Sequence, residues 1–546
     1  MTATDALIKC LEMEGVTHVF GYPGVAICPF YDSILNSSIK TILVRQEQNA
    51  AHEASGYARV TGKAGVAVVT SGPGATNLIT GIATAFADSI PLVCITGQVN
   101  SELMGSDVFQ EADISGACES FVKYSYIVRD PNEIPRIIKE AFYIATSGRK
   151  GPVLIDLPID VQMAEIRKFS YPEEANIRTY KPTVEGHAVQ IRKVLRALKN
   201  ARRPIICAGG GVHLSGAKEE VRRFVEENEI PLVCTMMGLG TLPTDHPLFY
   251  GMVGNNGQVY GNRAMNDADV VLMVGARVAD RSITQPDLIT ENKVLVHIDV
   301  DPAEIGKNAG PTIPLVGDIK NIFEHFNQKV IEADYTDWID RLDGYKDDGM
   351  NARTRTVYGD EDDGNPDTVA PSFFIRELSR AMKKDAVYVA DVGQNQMWSC
   401  ANVRIREGRF LTSGGMGTMG YAVPAALGAK IGAPDKQVVA VCGDGGFQMT
   451  MMELATLKQY DVHVKIVVLH NGVLGLVRQY QHFTYKDRFS VINLDGSPDL
   501  EKLSAAYGIP YLRISDEADM LDKIDAFLAT DETMLLEVMV DPNSLA

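Results

Sequence analysis

The sequence predicts an α/β protein with three doubly wound domains, each built on a parallel central sheet. The first indication is a series of apolar, β-branched runs separated by helical patterns, among them GVAVVTS, DVVLMVGA and KIVVLHN. Such runs are typical of strands that helices cover on both faces, and parallel strands require crossover connections, which are helical. The second indication is that these runs recur along the whole chain, whose 546 residues are enough for several domains.

Two polar, turn-rich stretches divide the chain. They are KFSYPEEANIRTYKPTVEG, at about 168–186, and YKDDGMNARTRTVYGDEDDGNPDTVAP, at 345–371. Both lack apolar periodicity and combine charged residues with Pro or Gly, so we interpret them as linkers. The predicted domains are therefore residues 1–165, 187–343 and 366–546.

The first and third domains share a pattern. Residues 66–96 and 438–470 each contain an apolar strand, a Gly-x-Gly turn, a helix and a second apolar strand. Any strand–helix–strand unit has this appearance, so the pattern alone leaves open whether the two domains are related.

The composition excludes several classes of protein. Apolar residues make up 45% and charged residues 22% of the chain, as in ordinary globular proteins. The net charge of −18 argues against nonspecific nucleic-acid binding and against binding to anionic membranes. The longest apolar region, residues 65–97, is interrupted by Gly, Pro and Asp88, so we predict no membrane span.

The start of the chain and its cysteines bear on location. Residues 1–16 are predicted to form a short amphipathic helix that ends at Gly15, and not a signal peptide. The eight cysteines form no C-x-x-C pair, so neither a zinc ribbon nor a thioredoxin motif is predicted. We expect a reducing, cytoplasmic location.

Two polar side chains end neighbouring strands of the third domain. Asp444 and Asn471 each follow an apolar run and are 27 positions apart, the span of one helical crossover. Ligands of open parallel sheets sit at the carboxyl ends of strands, so we expect the two side chains to lie close together. Oxygen ligands with open positions suit Mg²⁺.

Glycines surround the first of these acids. Gly443, Gly445 and Gly446 allow a phosphate to approach the backbone, and a helix predicted to begin near Phe447 offers free N–H groups to the same anion. The alternative is an ordinary Gly-Asp-Gly turn with an unrelated Asn. The spacing of Asn471 favours a Mg²⁺-diphosphate cradle.

A Gly-Asp-Gly turn followed by 25 residues and an Asn resembles the diphosphate-binding signature of thiamine-diphosphate enzymes. Along nearly the whole chain the sequence is similar to the acetolactate synthase (acetohydroxyacid synthase) family. The resemblance implies that Asp444, Asn471 and the backbone carbonyl of Val473 bind Mg²⁺. The family usually has Asn-Asn where this chain has His470-Asn471, and the metal ligand is the second of the pair.

The segment Gly415-Met-Gly417-Thr-Met-Gly420 fits the G-x-G-x-x-G pattern of dinucleotide-binding turns. A dinucleotide-binding turn requires a preceding strand and an acid at the end of the next strand. Here the preceding run is short and the nearby acid, Asp435, lies in a loop, so a dinucleotide-binding turn is not predicted. In the resembled family this segment lines the thiamine pyrimidine instead. There Met419 supports the bent cofactor, and a carbonyl near Gly417 contacts the 4′-amino group.

The resemblance implies further thiamine-diphosphate contacts. Gln394 and Asn395, in DVGQNQ, touch the diphosphate, although the family commonly has His at the second position. Gly24, in YPGV, and Gly74, in SGPGATN, are the predicted contacts in the first domain.

The predicted catalytic acid is Glu47, which lies between an apolar strand and an Ala-rich helix. A Glu at a helix start is often only a favourable partner of the helix dipole. The family places its essential carboxylate in this R-x-E-Q-x-A-A motif, where a hydrogen bond to N1′ of the aminopyrimidine favours the tautomer that removes the C2 proton. A dry pocket strengthens such a bond. In the family, this Glu and the cradle come from different chains, which implies a homodimer or homotetramer with active sites at the interface.

The resemblance also implies a pocket for 2-keto acids. Gln110 and Phe109 shape it, and Arg281 holds the carboxylate of the acceptor, a role suited to a forked guanidinium. Three positions depart from the family pattern and line the same pocket. They are Val25, Leu476 and Tyr480, and Tyr480 replaces a Trp that favours 2-ketobutyrate over pyruvate as acceptor.

The middle domain is similar to one that carries FAD in a structural role. The contacts that the resemblance implies are Arg149, Gly209, Gly210, Gly211, Arg277, Asp299 and Asp318. A block that binds ADP, or nothing, is the alternative.

The function that the resemblance implies is an acetolactate synthase, a transferase of branched-chain amino acid biosynthesis. It decarboxylates pyruvate on thiamine diphosphate and ligates the hydroxyethyl carbanion to a second 2-keto acid, with 2-acetolactate as the product from two pyruvates. A small regulatory subunit is a further expected partner. The alternatives are another thiamine-diphosphate carboligase or lyase, a 2-keto acid decarboxylase, a flavin oxidoreductase, and a non-catalytic binding subunit.

Overall fold

The computed structural model describes residues 1–357 and 368–546. Within these residues the strands form three sheets of six strands each, one in each predicted domain. The apolar runs GVAVVTS, DVVLMVGA and KIVVLHN all form buried strands. No helix in this part of the chain combines the length and the apolar character that a membrane span requires.

The first domain begins with a capped helix, in which the Thr2 hydroxyl accepts from the Asp5 amide, and Gly15 follows with a φ of +72°. Its strands are β1 (His18–Tyr22), β2 (Lys40–Leu43), β3 (Gly65–Val69), β4 (Leu92–Gln98), β5 (Tyr124–Ile127) and β6 (Pro152–Pro158). Its helices are α1 (Ala3–Met13), α2 (Cys28–Ser33), α3 (Glu47–Thr61), α4 (Pro73–Ala87), α5 (Ile114–Cys118), α6 (Ile134–Thr146) and α7 (Ile159–Met163). The sheet is parallel with strand order β2-β1-β3-β4-β6-β5.

The middle domain has a different strand order. Its strands are β7 (Pro204–Ala208), β8 (Leu232–Cys234), β9 (Phe249–Met252), β10 (Val270–Val274), β11 (Val294–Asp299) and β12 (Ile313–Val316). Its helices are α8 (Ala188–Asn200), α9 (Gly210–Leu214), α10 (Lys218–Asn228), α11 (Val259–Asp267), α12 (Ile319–Phe326) and α13 (Thr336–Val357). The parallel order β12-β11-β10-β7-β8-β9 is the 3-2-1-4-5-6 arrangement of dinucleotide-binding folds.

The third domain repeats the topology of the first. Its strands are β13 (Val387–Ala390), β14 (Arg409–Leu411), β15 (Val438–Gly443), β16 (Lys465–His470), β17 (Tyr511–Ile514) and β18 (Met534–Met539). Its helices are α14 (Pro371–Ala381), α15 (Gln394–Asn402), α16 (Ala422–Gly432), α17 (Asp444–Thr450), α18 (Leu454–Gln459), α19 (Gly475–Tyr485), α20 (Leu500–Ala506) and α21 (Met520–Ala529). The parallel order β14-β13-β15-β16-β18-β17 matches that of the first sheet strand for strand.

Two sequence predictions need correction. The stretch 345–371 is not a linker throughout, because α13 continues to Val357; residues 358–367 lie outside the described residues. The helix predicted to begin near Phe447 begins at Asp444. The other predicted linker, 168–186, contains neither helix nor strand.

The first and third domains dock through equivalent helices. Helix α3 connects β2 to β3, and α16 connects β14 to β15 at the same place in the repeated topology. A Cβ added at Gly56 of α3 would lie 1.9 Å from the Ala425 carbonyl oxygen, and one at Gly428 of α16 would lie 1.8 Å from that of Glu53. The two helices therefore meet backbone to backbone, with reciprocal contacts three residues apart on each.

This close approach makes Gly56→Ala a test of the docking. The added methyl group has no room, so the helices must move apart, and we expect a loss of about 1–3 kcal/mol in stability. The measurement is the urea midpoint of the cofactor-free chain. The control is Gly344→Ala in α13, where an added Cβ meets nothing within 4 Å. Because Ala forms helices better than Gly, this variant should gain up to about 1 kcal/mol in the free energy of unfolding. Equal midpoints for the two variants would contradict the close approach.

Candidate functional site

The two predicted metal ligands meet at one cavity. Strands β15 and β16 are neighbours, and Asp444 and Asn471 directly follow them. The Asp444 Oδ2 accepts from the amide of Gly472 at 2.7 Å, and the Asn471 Oδ1 accepts from that of Val473 at 3.1 Å. Both side chains, together with Val473, line a cavity of about 70 Å³. A hard cation that takes oxygen ligands fits this donor set.

Charged groups surround Asp444. Burial raises the pKa of its carboxyl group, and the nearby His470 opposes this shift, with Nε2 lying 3.7 Å from Oδ2. The His470 Nδ1 contacts Glu537 Oε1 at 2.5 Å, and this hydrogen bond raises the pKa of the imidazole. The Tyr511 hydroxyl donates to the other oxygen of Glu537. Glu537 was not predicted as a site residue, because its only signal in the sequence is one acid inside the apolar strand MLLEVM.

Glycines leave room for a ligand in the same cavity. Gly443, Gly445 and Gly446 line it, and a Cβ at Gly446 would lie 2.6 Å from the Asp391 carboxylate. Asn395 also lines the cavity, and its buried Oδ1 has no hydrogen-bond partner among the described residues. The amide nitrogen of Asn395, whose contact with the Val392 carbonyl is long at 3.5 Å, is the group that could donate to an anionic ligand, whereas the unpartnered oxygen fits only a ligand that donates a hydrogen bond or coordinates a cation.

A buried aspartate shapes the loop that carries Met419. Asp391 accepts hydrogen bonds from the amides of Gly420 and Ala422, both at 2.9 Å, and burial raises its pKa to about 6. Gly417 and Gly420 adopt φ values of +67° and +82°, which favour glycine. Met419 lines the cavity of Asp444, as predicted for a residue that supports the cofactor. The sequence analysis did not identify Asp391, which ends the apolar run AVYVAD.

Gln394 lies between the cavity and the last residues of the chain. It lines the cavity, and its Nε2 donates to the Gln479 side chain at 2.9 Å and to the Ser544 carbonyl at 2.8 Å. Trp398, one turn further along α15, donates to the Leu545 carbonyl at 3.0 Å. Ser544 and Leu545 therefore hold α15, whose residues Gln394 and Trp398 line the cavity.

The predicted catalytic acid lies elsewhere in the chain. Glu47 is the first residue of α3, half-buried, and its Oε2 accepts from the Asn77 side chain at 2.9 Å. A Cβ on Gly74 would lie 3.4 Å from Oε1, so Gly74, a predicted cofactor contact, lies beside the acid. Gly24 approaches the first-domain residue Thr70, which in turn contacts Gly74. Among the residues that the structure describes, those that line the cavity of Asp444 all fall between 392 and 477, and Glu47 is not one of them.

The predicted substrate-pocket residues are largely uncovered in one chain. Val25 is 77% and Phe109 is 87% exposed, and Gln110 adopts a φ of +60°. Leu476 lines the cavity of Asp444, and Tyr480 is 59% exposed on α19, a helix with no buried residue. Exposed apolar side chains in such numbers indicate a surface that another molecule covers.

A larger cavity of about 630 Å³ lies where the three domains meet. Six of the seven predicted flavin contacts line it, as does the predicted acceptor-binding arginine: Arg149, Gly210, Gly211, Arg277, Asp299, Asp318 and Arg281. The seventh, Gly209, packs so closely that an added Cβ would lie 2.2 Å from the Gly275 carbonyl oxygen. The glycines follow β7 and Gly275 follows β10, the pair of strands at which the sheet order reverses. Dinucleotides bind at this point of the fold.

Charges in this cavity are partly paired. Arg149 donates to Glu304 at 2.8 Å and to Asp301 at 3.2 Å, which joins the first and middle domains. Burial raises the pKa of Asp299 to about 6. Arg281 remains 80% exposed at its side chain, with Asp280 at 3.8 Å. Leu476 lines both cavities, so the larger one adjoins the predicted metal site.

Comparison with known families agrees with this geometry. The chain matches three profiles of thiamine pyrophosphate enzymes: the N-terminal TPP binding domain over residues 1–117, the central domain over 191–326, and the C-terminal TPP binding domain over 391–538. The three profiles correspond in order to the three sheets. The fold and the site therefore define a thiamine pyrophosphate enzyme.

Similar proteins indicate which family of thiamine pyrophosphate enzymes the chain resembles. A probable acetolactate synthase large subunit of Methanocaldococcus jannaschii is 43% identical over 99% of this chain and 92% of its own length. The acetolactate synthase large subunit of Corynebacterium glutamicum is 43% identical over 96% of this chain and 84% of its own length. The acetolactate synthase large subunit of Lactococcus lactis is 41% identical over 99% of this chain and 92% of its own length. The chain belongs to the acetolactate synthase large-subunit family.

Proposed function

We propose that this chain is the catalytic subunit of an acetolactate synthase, which joins two 2-keto acids with loss of CO₂. Two pyruvates give 2-acetolactate, the first product toward branched-chain amino acids. The observation that carries the proposal is the cavity shared by Asp444 and Asn471, in a chain about 40% identical to acetolactate synthase large subunits along its full length.

Each predicted residue has a task in this reaction. Asp444, Asn471 and the Val473 carbonyl would hold Mg²⁺, and the metal would supply positive charge for the diphosphate of thiamine diphosphate. When bound, this cofactor supplies the electron sink for the carbanion that decarboxylation leaves. Glu47, oriented by the hydrogen bond from Asn77, would exchange a proton with the pyrimidine of the cofactor through its carboxyl group. Arg281 binds the acceptor carboxylate, since an exposed guanidinium at a cavity mouth offers a forked pair of donors.

The proposed assembly is a homodimer or homotetramer. Its support is the separation of Glu47 from the cavity of Asp444 within one chain, together with the exposed Val25, Phe109 and Tyr480. A partner chain supplies the missing half of each site and covers these side chains. A small regulatory subunit is a further proposed partner, because the relatives are named large subunits. We also propose a cytoplasmic location, in keeping with eight free cysteines.

FAD is the proposed occupant of the larger cavity. Its support is the dinucleotide-type strand order of the middle sheet and the glycines at the point where that order reverses. The flavin has no redox task in the proposed reaction. The test is the absorption spectrum of the supernatant after the purified protein is denatured: a flavin spectrum at about one equivalent per chain supports the proposal, and ADP or no nucleotide contradicts it.

The proposed function is tested by product analysis. The protein is incubated with pyruvate, Mg²⁺ and thiamine diphosphate, and both acetolactate and acetaldehyde are measured. We expect acetolactate; acetaldehyde alone would make the chain a decarboxylase. Bleaching of a bound flavin in step with turnover would indicate that the chain is a flavin oxidoreductase. If no 2-keto acid is turned over, the remaining interpretation is that the chain is a non-catalytic binding subunit.

Tyr480 gives a prediction about the acceptor. We expect Tyr480→Trp to raise the ratio of 2-aceto-2-hydroxybutyrate to acetolactate about tenfold when pyruvate and 2-ketobutyrate compete. The reason is that the larger indole adds apolar contact for one extra methylene. The control is Tyr480→Phe, which keeps the ring size and should leave the ratio within about threefold. A ratio that is unchanged in the Trp variant would remove Tyr480 from the acceptor pocket.

A further inference from the structure

One buried carboxylate holds the turn that carries Glu47. Glu453 follows α17 in the third domain and is fully buried. Its Oε1 accepts from the backbone amide of Arg45 at 2.8 Å and from the side-chain amide of Asn49 at 2.7 Å. These donors lie two residues before and two residues after Glu47, so a single oxygen fixes both sides of that residue.

The environment of Glu453 adds to this restraint. Its Oε2 accepts from the Thr456 hydroxyl at 2.5 Å. Glu53 lies next to it on α3, one turn beyond Asn49, and neither Glu53 oxygen accepts a hydrogen bond from any residue that the structure describes. Burial, and then the charge of Glu453, raise the pKa of Glu53, with Arg45 opposing the shift. Burial beside Glu453 therefore favours the neutral form of Glu53.

We propose that Glu453 is a positioning residue for Glu47, acting through the amides of Arg45 and Asn49. A displacement of about 1 Å at a catalytic group is enough to cost about 100-fold in rate. Two hydrogen bonds to one fully buried carboxyl oxygen favour one arrangement of the turn, because a donor that loses this acceptor in the interior is left unsatisfied.

The proposal has a consequence for the assembled enzyme, which rests on the proposed function. Glu453 lies nine residues after Asp444, at the end of the segment formed by α17 and the turn that follows it. In a dimer with shared sites, the Glu47 and the Asp444 of one chain serve different active sites. Glu453 therefore joins the acid of one site to the metal ligand of the other.

The first experiment uses the full-length, cofactor-free chain. Hydrogen–deuterium exchange of the backbone is compared in wild type, Glu453→Ala and Glu453→Gln. We expect the amide of Arg45 to exchange about 10- to 100-fold faster in the Ala variant, because its hydrogen-bond acceptor is gone. The Glu453→Gln variant keeps an acceptor oxygen and should restore most of the protection. The control is Tyr460→Phe, which removes a different interdomain bond, from the Leu43 amide at 2.8 Å, outside the turn of Glu47.

The second experiment uses the loaded enzyme. We expect Glu453→Ala to lower kcat for acetolactate, and to slow exchange of the C2 proton of thiamine diphosphate, by about 10- to 100-fold. The KM for pyruvate and the affinity for Mg²⁺ should stay within about threefold, because Glu453 touches neither ligand. Glu453→Gln and Tyr460→Phe should keep most of both rates.

Several results would overturn the proposal. One is unchanged amide exchange and unchanged C2-proton exchange in Glu453→Ala; another is an equal loss in Tyr460→Phe, which would indicate general domain docking. If the Ala variant fails to fold, Asn49→Ala removes one of the two donors and should give a smaller change in the same direction, and no change there would overturn it too. A wild-type chain that makes no acetolactate refutes the proposed function, while the amide exchange still tests the positioning.

Discussion

Glu47→Gln lowers kcat for acetolactate formation about 10²- to 10⁴-fold, because the carboxamide cannot hold and release the proton that the carboxylate shares with the pyrimidine. The residue is nearly the same in shape, and its neighbours Asn77 and Gly74 stay in place. We therefore expect the affinity for thiamine diphosphate to change no more than about threefold. The measurements are steady-state kinetics with pyruvate and cofactor titration by fluorescence.

The matched control for this prediction is Glu119→Gln, which makes the same chemical change at an exposed position of the first domain. It should leave kcat at the wild-type value. Wild-type turnover in Glu47→Gln would remove the acid role from that residue, and a loss of cofactor affinity equal to the loss of rate would make its role one of binding.

Asp444→Asn should weaken Mg²⁺-dependent binding of thiamine diphosphate at least about 100-fold, and activity at ordinary Mg²⁺ falls with it. The variant keeps an oxygen at the site but removes the charge that a hard cation requires. Buried Asp444 also accepts from the amides of Gly445 and Gly472, and Asn can accept only one of these bonds. The measurement is the dependence of cofactor binding on Mg²⁺ concentration.

The control for the metal prediction is Asp461→Asn. Asp461 is exposed and precedes the first residue of β16, at the end of the strand away from Asn471. This variant should leave the Mg²⁺ dependence unchanged. Full activity of Asp444→Asn at the same Mg²⁺ concentration would place the cation elsewhere. A variant that binds the cofactor normally but turns over slowly would make Asp444 part of the chemistry and not of the anchor.

A mixture of the two inactive variants discriminates shared sites from sites within one chain. When chains carrying Glu47→Gln and Asp444→Asn assemble at random, half of the dimers are mixed, and one of the two sites in each has both native residues. Activity should recover to about a quarter of the wild-type value. No recovery after subunit exchange would mean that each chain uses its own Glu47.

Much of the fold could be predicted because strands buried on both faces appear in the sequence as continuous runs of apolar residues. The proximity of Asp444 and Asn471 follows from a general rule, since neighbouring parallel strands end at the same edge of a sheet. The end of the middle domain was predicted less well. Helix α13 buries three side chains at helical spacing, those of Trp338, Leu342 and Tyr345. The predicted linker began at residue 345, so it started inside this helix, at the third of these buried residues.

The residues that were missed share one property. Asp391, Glu453 and Glu537 are single acids whose importance depends on partners brought in by the fold. Arg45 and Glu453, for example, are 408 positions apart in the chain. Local spacing carries no signal for such pairs, whereas a carboxylate after an apolar strand can be found by its position alone. The strand order of the middle sheet could not be read from the sequence either, because runs of similar composition do not specify their neighbours.

The reciprocal contact between α3 and α16 has a consequence for how the chain is built. In an isologous interface, residue i of one copy meets residue j of the other and j meets i, and Gly56–Ala425 with Gly428–Glu53 satisfies that relation between topologically equivalent helices. Each chain thus contains, between its first and third domains, the two-fold-like contact that a homodimer makes between two separate chains, with the middle domain lying between them in sequence. The two domains share their strand order and differ in their polar residues, with Glu47 at a helix start in one and Asp444 at a strand end in the other.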